Sequence, residues 1–231
     1  MTDIAVIDYG MGNLRSVSKA LEHVAPNARV TVTSDPQVVR QAQRVVFPGQ
    51  GAMPDCMREM ESRGLHQAVV EAAQTKPFLG ICIGMQMLFD HSEEGNIAGL
   101  GLFPGNVLRF PREAMVDAKG EKLKVPHMGW NEVWQAQTHP LWQGITDGSR
   151  FYFVHSYYCE PAGPDFIAGN THYPFAFAFT CAVARDNIFA VQFHPEKSAA
   201  AGLALLSNFV RWDGSIQSEP VHATATGAAS R

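Results

Sequence analysis

The sequence predicts an α/β protein with a doubly wound, mostly parallel sheet, helices on both faces and an antiparallel extension. In the first part of the chain, short apolar runs rich in β-branched residues alternate with helical segments, as in buried parallel strands joined by helices. In the later part, strand-like runs follow one another. With 231 residues, 46% of them apolar, the chain can bury one large core. We therefore expect a single domain.

The chain opens with a strand, a glycine turn and a helix. Residues 3–9 form a short, nearly all-apolar run, and Gly10-Met11-Gly12 turns it into a helix from Asn13 to about residue 24. The alternation continues through a predicted strand at 30–33, a short helix from Asp35, a strand at 44–47, helices at 54–62 and 65–74, a strand at 77–82 and a helix at 84–89.

The second half contains fewer helical patterns. Residues 95–147 are rich in Gly, Pro and charge, which predicts hairpins and loops. Further strands are predicted at 151–158, 175–183 and 188–193, followed by a closing helix at 200–212. Residues 213–231 are rich in Ser, Thr, Ala and Gly without periodicity, so we expect a domain over residues 1–212 and a disordered tail over 213–231.

Charge and hydropathy argue against nucleic-acid and membrane proteins. The net charge is -4 and no Lys/Arg cluster is long enough to follow a phosphate backbone. The most apolar stretch, residues 175–184, is far shorter than the roughly 20 residues that span a bilayer. Thr2-Asp3 lacks the positive flank of a secretion signal. These features predict a cytoplasmic protein without nucleic-acid or membrane partners.

Neither the cysteines nor the histidines have metal-site spacing. The four cysteines are widely separated, which favours reduced thiols, and the nine histidines show no H-x-H or H-x-x-x-H pattern. We expect no metal and no cofactor. The turn Gly10-Met11-Gly12-Asn13-Leu14-Arg15 also suggests a dinucleotide site with Asp35 on the ribose, but Arg15 occupies the third glycine position. A plain turn or a docking loop is the alternative.

Cys82 is the candidate nucleophile. It lies in Gly80-Ile81-Cys82-Ile83-Gly84, a G-x-C-x-G run between a predicted strand and helix, which is the layout of a nucleophile elbow. The turn needs flanking residues that are nearly without side chains, and the following helix N-terminus favours a thiolate. The alternative is a buried structural cysteine.

A cysteine nucleophile needs a base and an oxyanion hole, and both have candidates. In an extended segment His194 and Glu196 point to one side, so Glu196 can orient the His194 imidazole toward the thiol. Gly49, Gln50 and Gly51 form a glycine-rich loop after a strand, and with the Ile83 amide they predict an oxyanion hole. An ordinary strand-ending turn is the alternative for this loop.

Three motifs together resemble the signatures of class I (triad-type) glutamine amidotransferases. They are Pro48-Gly49-Gln50-Gly51, Gly80-Ile81-Cys82-Ile83-Gly84-Met85-Gln86 and Gln192-Phe193-His194-Pro195-Glu196. The resemblance implies a flavodoxin-like fold and hydrolysis of glutamine through a thioester on Cys82. It also implies that Gln86 and the backbone of His155, Ser156 and Tyr157 hold the glutamine.

Further runs resemble one branch of that family, the glutaminase subunits of imidazole glycerol phosphate synthases in histidine biosynthesis. They are residues 8–14, 126–131 and 151–158 and Lys197-Ser198. This resemblance implies a (β/α)8 cyclase partner that uses the ammonia internally, with Asn13, Trp130 and Lys197 at or near the interface. Buried packing of Trp130 and a solvated Lys197 are the alternatives.

The sequence departs from the family pattern at two places and leaves two other functions open. Gln50 stands where the family often has an aliphatic residue, so the resemblance does not determine the resting conformation of the loop at 48–51. Residues 213–231 have no family counterpart. The alternatives are a glutaminase for another synthase, of the anthranilate or pyridoxal phosphate type, and a non-catalytic flavodoxin-like scaffold.

Overall fold

The computed structural model describes residues 3–111, 121, 125–173 and 177–216. Its strands are β1 Asp3–Ile7, β2 Arg29–Thr33, β3 Arg44–Gly49, β4 Phe78–Cys82, β5 Phe89–Ser92, β6 Ile97–Ala98, β7 Phe103–Arg109, β8 His127–Gln135, β9 Ser149–His155, β10 Tyr157–Pro161, β11 Ile167–His172, β12 Ala178–Arg185 and β13 Ile188–Val191. Its α-helices are α1 Leu14–Val24, α2 Pro36–Gln41, α3 Met53–Ser62, α4 His66–Thr75, α5 Ile83–Gln86 and α6 Ala199–Arg211.

The centre of the sheet is parallel, in the order β2-β1-β3-β4-β13. The central strands β3 and β4 are almost entirely buried, as continuous apolar runs covered on both faces require. The β1-to-β2 crossover runs opposite to the β2-to-β3 and β3-to-β4 crossovers, so right-handed connections put α1 on one face and α2, α3 and α4 on the other. Helix α6 packs against α1. The doubly wound fold with helices on both faces is confirmed.

An antiparallel extension continues the sheet beyond β13. It runs through β12 and β10 to β7, and β11, β8 and β9 form a branch from β12. At the edge, β5 pairs in parallel with β7 and antiparallel with β6. The branch ends in the β8–β9 pair, whose register aligns His127 with His155 and Trp130 with Tyr152. This pair later forms one wall of the candidate site.

The predicted strand at 151–158 is wrong as a single element. The chain is β9 up to His155 and β10 from Tyr157, with Ser156 between them. β9 pairs with β8, whereas β10 pairs with β7 and β12, so the chain changes neighbours at this point. The run Phe-Tyr-Phe-Val-His-Ser-Tyr-Tyr has the same β propensity on both sides, so only the long-range pairing places the break.

Other predicted elements also differ from the structure. The helix at 84–89 is replaced by the single turn of α5, and Phe89 begins β5 because its backbone pairs with Phe103 in β7. The region 95–147 contains the nine-residue β8, and β11 has no predicted counterpart. The strand expected at 175–183 is β12, and residues 174–176 lie outside the described residues.

The C-terminal helix ends near the predicted domain boundary. The indole Nε1 of Trp212 donates to the carbonyl of Ser215 over 2.7 Å. Residues 217–231 lie outside the described part of the chain, so the disordered tail and the boundary at residue 212 stay predictions.

In the described ranges, no helix combines the length and the apolar character needed to cross a bilayer.

Arg44 ties the last turn of α6 to the central sheet, which gives a stability prediction. Its guanidinium donates to the carbonyls of Trp212 over 2.6 Å and Phe209 over 3.3 Å. Arg44→Ala should lower the free energy of unfolding by about 1–3 kcal/mol in urea denaturation, because charged hydrogen bonds are lost and helix-end carbonyls lose their partners. Arg58→Ala, which removes only an exposed ion pair with Asp55, should cost less than about 0.5 kcal/mol. Equal losses would contradict this role for Arg44.

Candidate active site

A cavity of about 230 Å³ lies at the carboxyl edge of the parallel strands. β3, β4 and β13 are neighbours there, so the residues that follow each strand meet at one place. Gly49 lies opposite Cys82 in the β3–β4 register. The cavity is lined by Gln50, Gly51, Cys82, Ile83, Gln86, Glu94, Pro126, Val154, His155, Ser156, Tyr157, His194 and Lys197.

Cys82 has the backbone of a sharp elbow. Its φ of 56° and ψ of -112° lie outside the regions that non-glycine residues favour, which stores strain at this position. A Cβ on Gly84 would overlap the carbonyl oxygen of Phe47, and one on Gly80 would lie 2.9 Å from Cβ of Ala190. The predicted need for small flanking residues is confirmed. The expected helix N-terminus follows Cys82 directly, but α5 has only four residues, so its dipole is that of a single turn.

His194 and Glu196 form the expected pair, but in a turn and not in an extended segment. Nδ1 of His194 lies 2.9 Å from Oε1 of Glu196, and both side chains are almost fully buried. Pro195–Lys197 is a 3₁₀ turn, so the two side chains meet across the turn and not on one side of a strand. Ser198 fixes this turn, because its hydroxyl donates to the His194 carbonyl and accepts from the Tyr152 amide.

The imidazole of His194 is held in its charged form. Burial lowers its pKa, but the neighbouring Cys82 sulfur and Glu196 carboxylate outweigh burial and raise the pKa of His194 to about 10. Nε2 of His194 is buried and has no hydrogen-bond partner of ordinary length among the described residues. Resting cysteine–histidine pairs are often longer than a hydrogen bond and tighten only when substrate binds. The arrangement fits a protonated imidazole that faces the Cys82 sulfur.

Gln192 supports the thiol, a role that motif spacing does not reveal. This fully buried side chain points its Nε2 at the Cys82 sulfur over 3.6 Å, and its Oε1 accepts from Nε2 of Gln86 over 2.9 Å. Nε2 of Gln86 also donates to the Tyr157 carbonyl over 3.2 Å. Oε1 of Gln86 is buried and has no partner in the described part of the chain. Gln86 lines the cavity, so this oxygen is an unused acceptor within a residue of the cavity wall.

The glycine-rich loop at 48–51 is held by two residues that the sequence did not single out. The hydroxyl of Tyr9 donates to the Pro48 carbonyl over 2.8 Å, and the Cys56 thiol donates to the Gln50 carbonyl over 3.6 Å. Burial raises the pKa of Cys56 to about 11, so this thiol remains a donor at neutral pH. The two donors fix the loop beside Cys82.

The remaining wall combines backbone with charge. His155, Ser156 and Tyr157 line the cavity as the resemblance implied, and Glu94 and Lys197 place opposite charges on it. Glu94 was not predicted. Its Oε2 accepts from the Met53 amide over 2.8 Å, which orients the carboxylate. The cavity therefore matches a small ligand with groups of both signs.

Two of the three predicted interface residues are connected through Tyr152. Trp130 is 48% exposed and packs edge-on against the Tyr152 ring at 6.2 Å, and Nζ of Lys197 lies 5.9 Å from the centre of the same ring. Asn13, the third predicted interface residue, directly precedes α1. A Cβ added to its neighbour Gly12 would lie within 4 Å of the loop at 48–51, so this turn lies close to that loop. Fully buried packing of Trp130 is excluded.

The dinucleotide alternative gains no support. The Asp35 carboxylate accepts from the Gln37 amide over 2.8 Å as the N-cap of α2, so it is used structurally. In the residues that the structure describes, no group of three or more His, Cys, Asp or Glu side chains is arranged to hold a metal ion. All four cysteines are free thiols.

Comparison with known proteins identifies the relatives of the chain. The family model described as glutamine amidotransferase class-I matches residues 5–212. A protein of Nitrosospira multiformis named imidazole glycerol phosphate synthase subunit HisH is 70% identical, over 92% of this chain and 99% of that protein. A protein of the same name from Thiobacillus denitrificans is 70% identical, over 91% of this chain and 92% of that protein.

Solved structures share the fold at low sequence identity. PurLQS of Thermotoga maritima superposes with a TM-score of 0.65 at 16% identity, covering 91% of this chain and 98% of that one. A glutamine amidotransferase of Thermotoga maritima gives a TM-score of 0.57 at 15% identity, covering 87% of this chain and 78% of that one.

The charge state of His194 can be measured by NMR titration. The imidazole should stay protonated at neutral pH and lose its proton only as the pH rises through about 10, because Cys82 and Glu196 stabilise the cation. Glu196→Gln should lower this midpoint, since one of the two partners is removed. His139 is an internal control: burial lowers its pKa to about 4, so it should stay neutral. A His194 midpoint near 6.5 in both proteins would rule out the charged pair.

Proposed function

Because the chain belongs to the class I glutamine amidotransferase family, we propose that Cys82, His194 and Glu196 hydrolyse glutamine to glutamate and ammonia. The chain is the glutaminase subunit of an imidazole glycerol phosphate synthase and acts in histidine biosynthesis. The observation that supports the residue roles is geometric: a strained cysteine, a buried His–Glu pair and a glycine-rich loop line or adjoin one cavity.

The reaction begins at the thiolate. The Cys82 sulfur adds to the side-chain amide carbon of glutamine, and backbone N–H groups of the loop Gly49-Gln50-Gly51 and of Ile83 stabilise the resulting oxyanion. His194 gives its proton to the amide nitrogen, the C–N bond breaks and ammonia leaves. The product of this half-reaction is a glutamyl thioester on Cys82.

The second half-reaction returns the enzyme to its starting state. Neutral His194 takes a proton from water, the hydroxide adds to the thioester carbon, and the C–S bond breaks to release the thiolate and a carboxylic acid, which loses its proton to solvent and leaves as glutamate. Glu196 accepts the hydrogen bond from Nδ1 of His194 throughout. One water is consumed for each glutamine, and the proton on His194 is restored.

The charges on the cavity wall fit the ends of the amino acid. The Glu94 carboxylate suits the α-ammonium group of glutamine, and basic Lys197 lies on the same wall. Oε1 of Gln86 is an acceptor without a partner among the described residues, and the backbone of His155, Ser156 and Tyr157 completes the binding surface. These contacts support glutamine over a larger or singly charged amide.

The partner in this proposal is a (β/α)8 cyclase that uses the ammonia without releasing it to solvent. Asn13, Trp130 and Lys197 contribute to or adjoin the interface. The exposure of Trp130 and of Met128, at 48% and 60%, supports an apolar contact on β8 close to the cavity. The names of the relatives favour this partner over an anthranilate- or pyridoxal phosphate-type synthase. The cytoplasmic location stays a prediction.

Removing the nucleophile should separate glutamine hydrolysis from cyclisation. In the complex with the cyclase, Cys82→Ala should reduce glutamine-dependent turnover by at least about 10³-fold while leaving synthesis from added ammonia nearly unchanged. Cys181→Ala is the matched control, because Cys181 is buried but does not line the cavity. Glutamine-dependent turnover that survives in Cys82→Ala would exclude Cys82 as nucleophile, whereas a lack of such turnover in the unmutated complex would favour a scaffold role.

Two tryptophans on one strand allow a test of the interface. Trp130→Ala should raise the cyclase concentration needed for half-maximal stimulation of glutaminase activity by about tenfold or more, since a large apolar contact is lost. Trp134→Ala, at 46% exposure on the same strand but farther from the cavity, should change it less than about threefold. If cyclase leaves glutaminase activity unchanged in the unmutated protein, the partner assignment is wrong.

A further inference from the structure

A chain of hydrogen bonds leads from β8 to the wall of the cavity through two buried histidines. Nδ2 of Asn131 lies 3.4 Å from Nε2 of His127. Nδ1 of His127 lies 3.0 Å from Nε2 of His155, its register partner on β9. Nδ1 of His155 lies 2.7 Å from the carbonyl oxygen of Tyr157. Each ring therefore uses both of its nitrogens.

The direction of this chain follows from its Tyr157 end. A carbonyl only accepts, so Nδ1 of His155 carries the hydrogen. Burial, with a smaller contribution from His127, lowers the pKa of His155 to about 3, so the ring is neutral and its Nε2 is an acceptor. Nδ1 of His127 must then donate. Burial lowers the pKa of His127 to about 4, which leaves Nε2 of His127 as an acceptor as well.

The Asn131 end fixes the same direction independently. The Glu132 amide donates to Oδ1 of Asn131 over 2.9 Å, and Nδ2 of Asn131 donates to the His172 carbonyl over 2.6 Å. These contacts settle which end of the amide faces His127: it is the nitrogen, which has a second hydrogen to donate. Both ends of the chain thus require the same tautomer in both rings, with the hydrogen on Nδ1.

We propose that Asn131, His127 and His155 are positioning residues, which fix the Tyr157 carbonyl and with it the backbone that binds glutamine. The inference rests on the proposed function. Ser156 lies between β9 and β10, where the chain changes sheet partners. The backbone on either side of Ser156 therefore needs hydrogen bonds from outside the sheet to hold its position. The Tyr157 carbonyl receives two hydrogen bonds, from His155 and from Gln86.

Aromatic packing is the competing explanation for these histidines. The His155 ring lies 5.2 Å from the ring of Phe110 and 5.3 Å from that of Phe179, and His127 stacks on Phe153 at 4.9 Å. Packing requires a ring, whereas positioning requires a hydrogen on a given nitrogen. The two explanations therefore predict different responses to substitutions that keep one property and remove the other.

Asn131→Asp tests the direction of the chain with little change in shape. A carboxylate only accepts, so it can donate neither to Nε2 of the neutral His127 ring nor to the His172 carbonyl, and the required tautomer loses its partner at this end. In the complex with the cyclase we expect the KM for glutamine to rise about tenfold while kcat changes less than about threefold. Asn170→Asp is the control, a half-buried asparagine on β11 outside the chain. An unchanged KM in Asn131→Asp would overturn the proposal.

Two substitutions at His155 separate packing from donation. His155→Phe keeps a ring but removes the donor and should raise the KM for glutamine at least as much as Asn131→Asp. His155→Asn loses the ring but places an amide N–H near the Nδ1 position, so it should recover part of the affinity. Melting temperatures identify a variant that fails to fold. A normal KM in folded His155→Phe would leave packing as the explanation.

NMR of the unmutated protein decides the tautomers without any activity assay. Long-range ¹H–¹⁵N spectra should show both His127 and His155 neutral and protonated at Nδ1 at pH 7. Protonation at Nε2 of either ring would contradict the chain. If the unmutated complex fails to hydrolyse glutamine, the proposed function is wrong, and this measurement still shows whether the chain has the stated direction.

Discussion

The site depends on one close approach, that of Gly84 to the backbone of β3. A side chain at this position would overlap the Phe47 carbonyl, so the turn after β4 lies against β3 only because residue 84 has no Cβ. This approach lets Cys82 end β4 with a positive φ and places it beside Gly49. Such backbone strain costs about 1–3 kcal/mol, which the buried parallel strands on both sides of β4 offset. Helix α5, the cavity and the position of the thiol follow from this contact.

The histidines show how partners, and not burial alone, set a charge. His127, His139 and His155 are buried and have pKa values lowered to about 4, 4 and 3. His194 is also buried, yet its pKa is raised to about 10, because the Cys82 sulfur and the Glu196 carboxylate lie next to it. The same fold therefore holds neutral rings as hydrogen-bond elements and one charged ring at the thiol.

The sequence predicts well what is encoded locally. The central strands β3 and β4 are nearly continuous apolar runs with proline or glycine at one end, and the elbow and the His–Glu pair lie within short motifs. It predicts poorly what depends on distant pairing. The break at Ser156 and the strand at Phe89 are set by which strand lies alongside, so no local pattern marks them.

Supporting residues were missed for the same reason. Tyr9 and Cys56 act on the loop at 48–51, and Gln192 and Glu94 reach the site from separate elements. None of these four has a spacing that relates it to Cys82, because the contacts are made across the sheet and not along the chain. Gln192 was visible inside a motif, but only the fold shows that its amide faces the sulfur.

The β8–β9 pair connects the proposed docking surface with both halves of the site. On β9, the Tyr152 ring lies between Trp130 and Lys197, while its carbonyl accepts from the His194 amide over 2.9 Å. On β8, Asn131 follows Trp130 directly and begins the hydrogen-bond chain to Tyr157. A ligand changes an equilibrium only through contacts that differ between two states. A cyclase bound at Trp130 would make such contacts on β8 and β9, the strands that support the proposed base and the proposed glutamine-binding backbone. Activation by a partner would then require no separate pathway through the core.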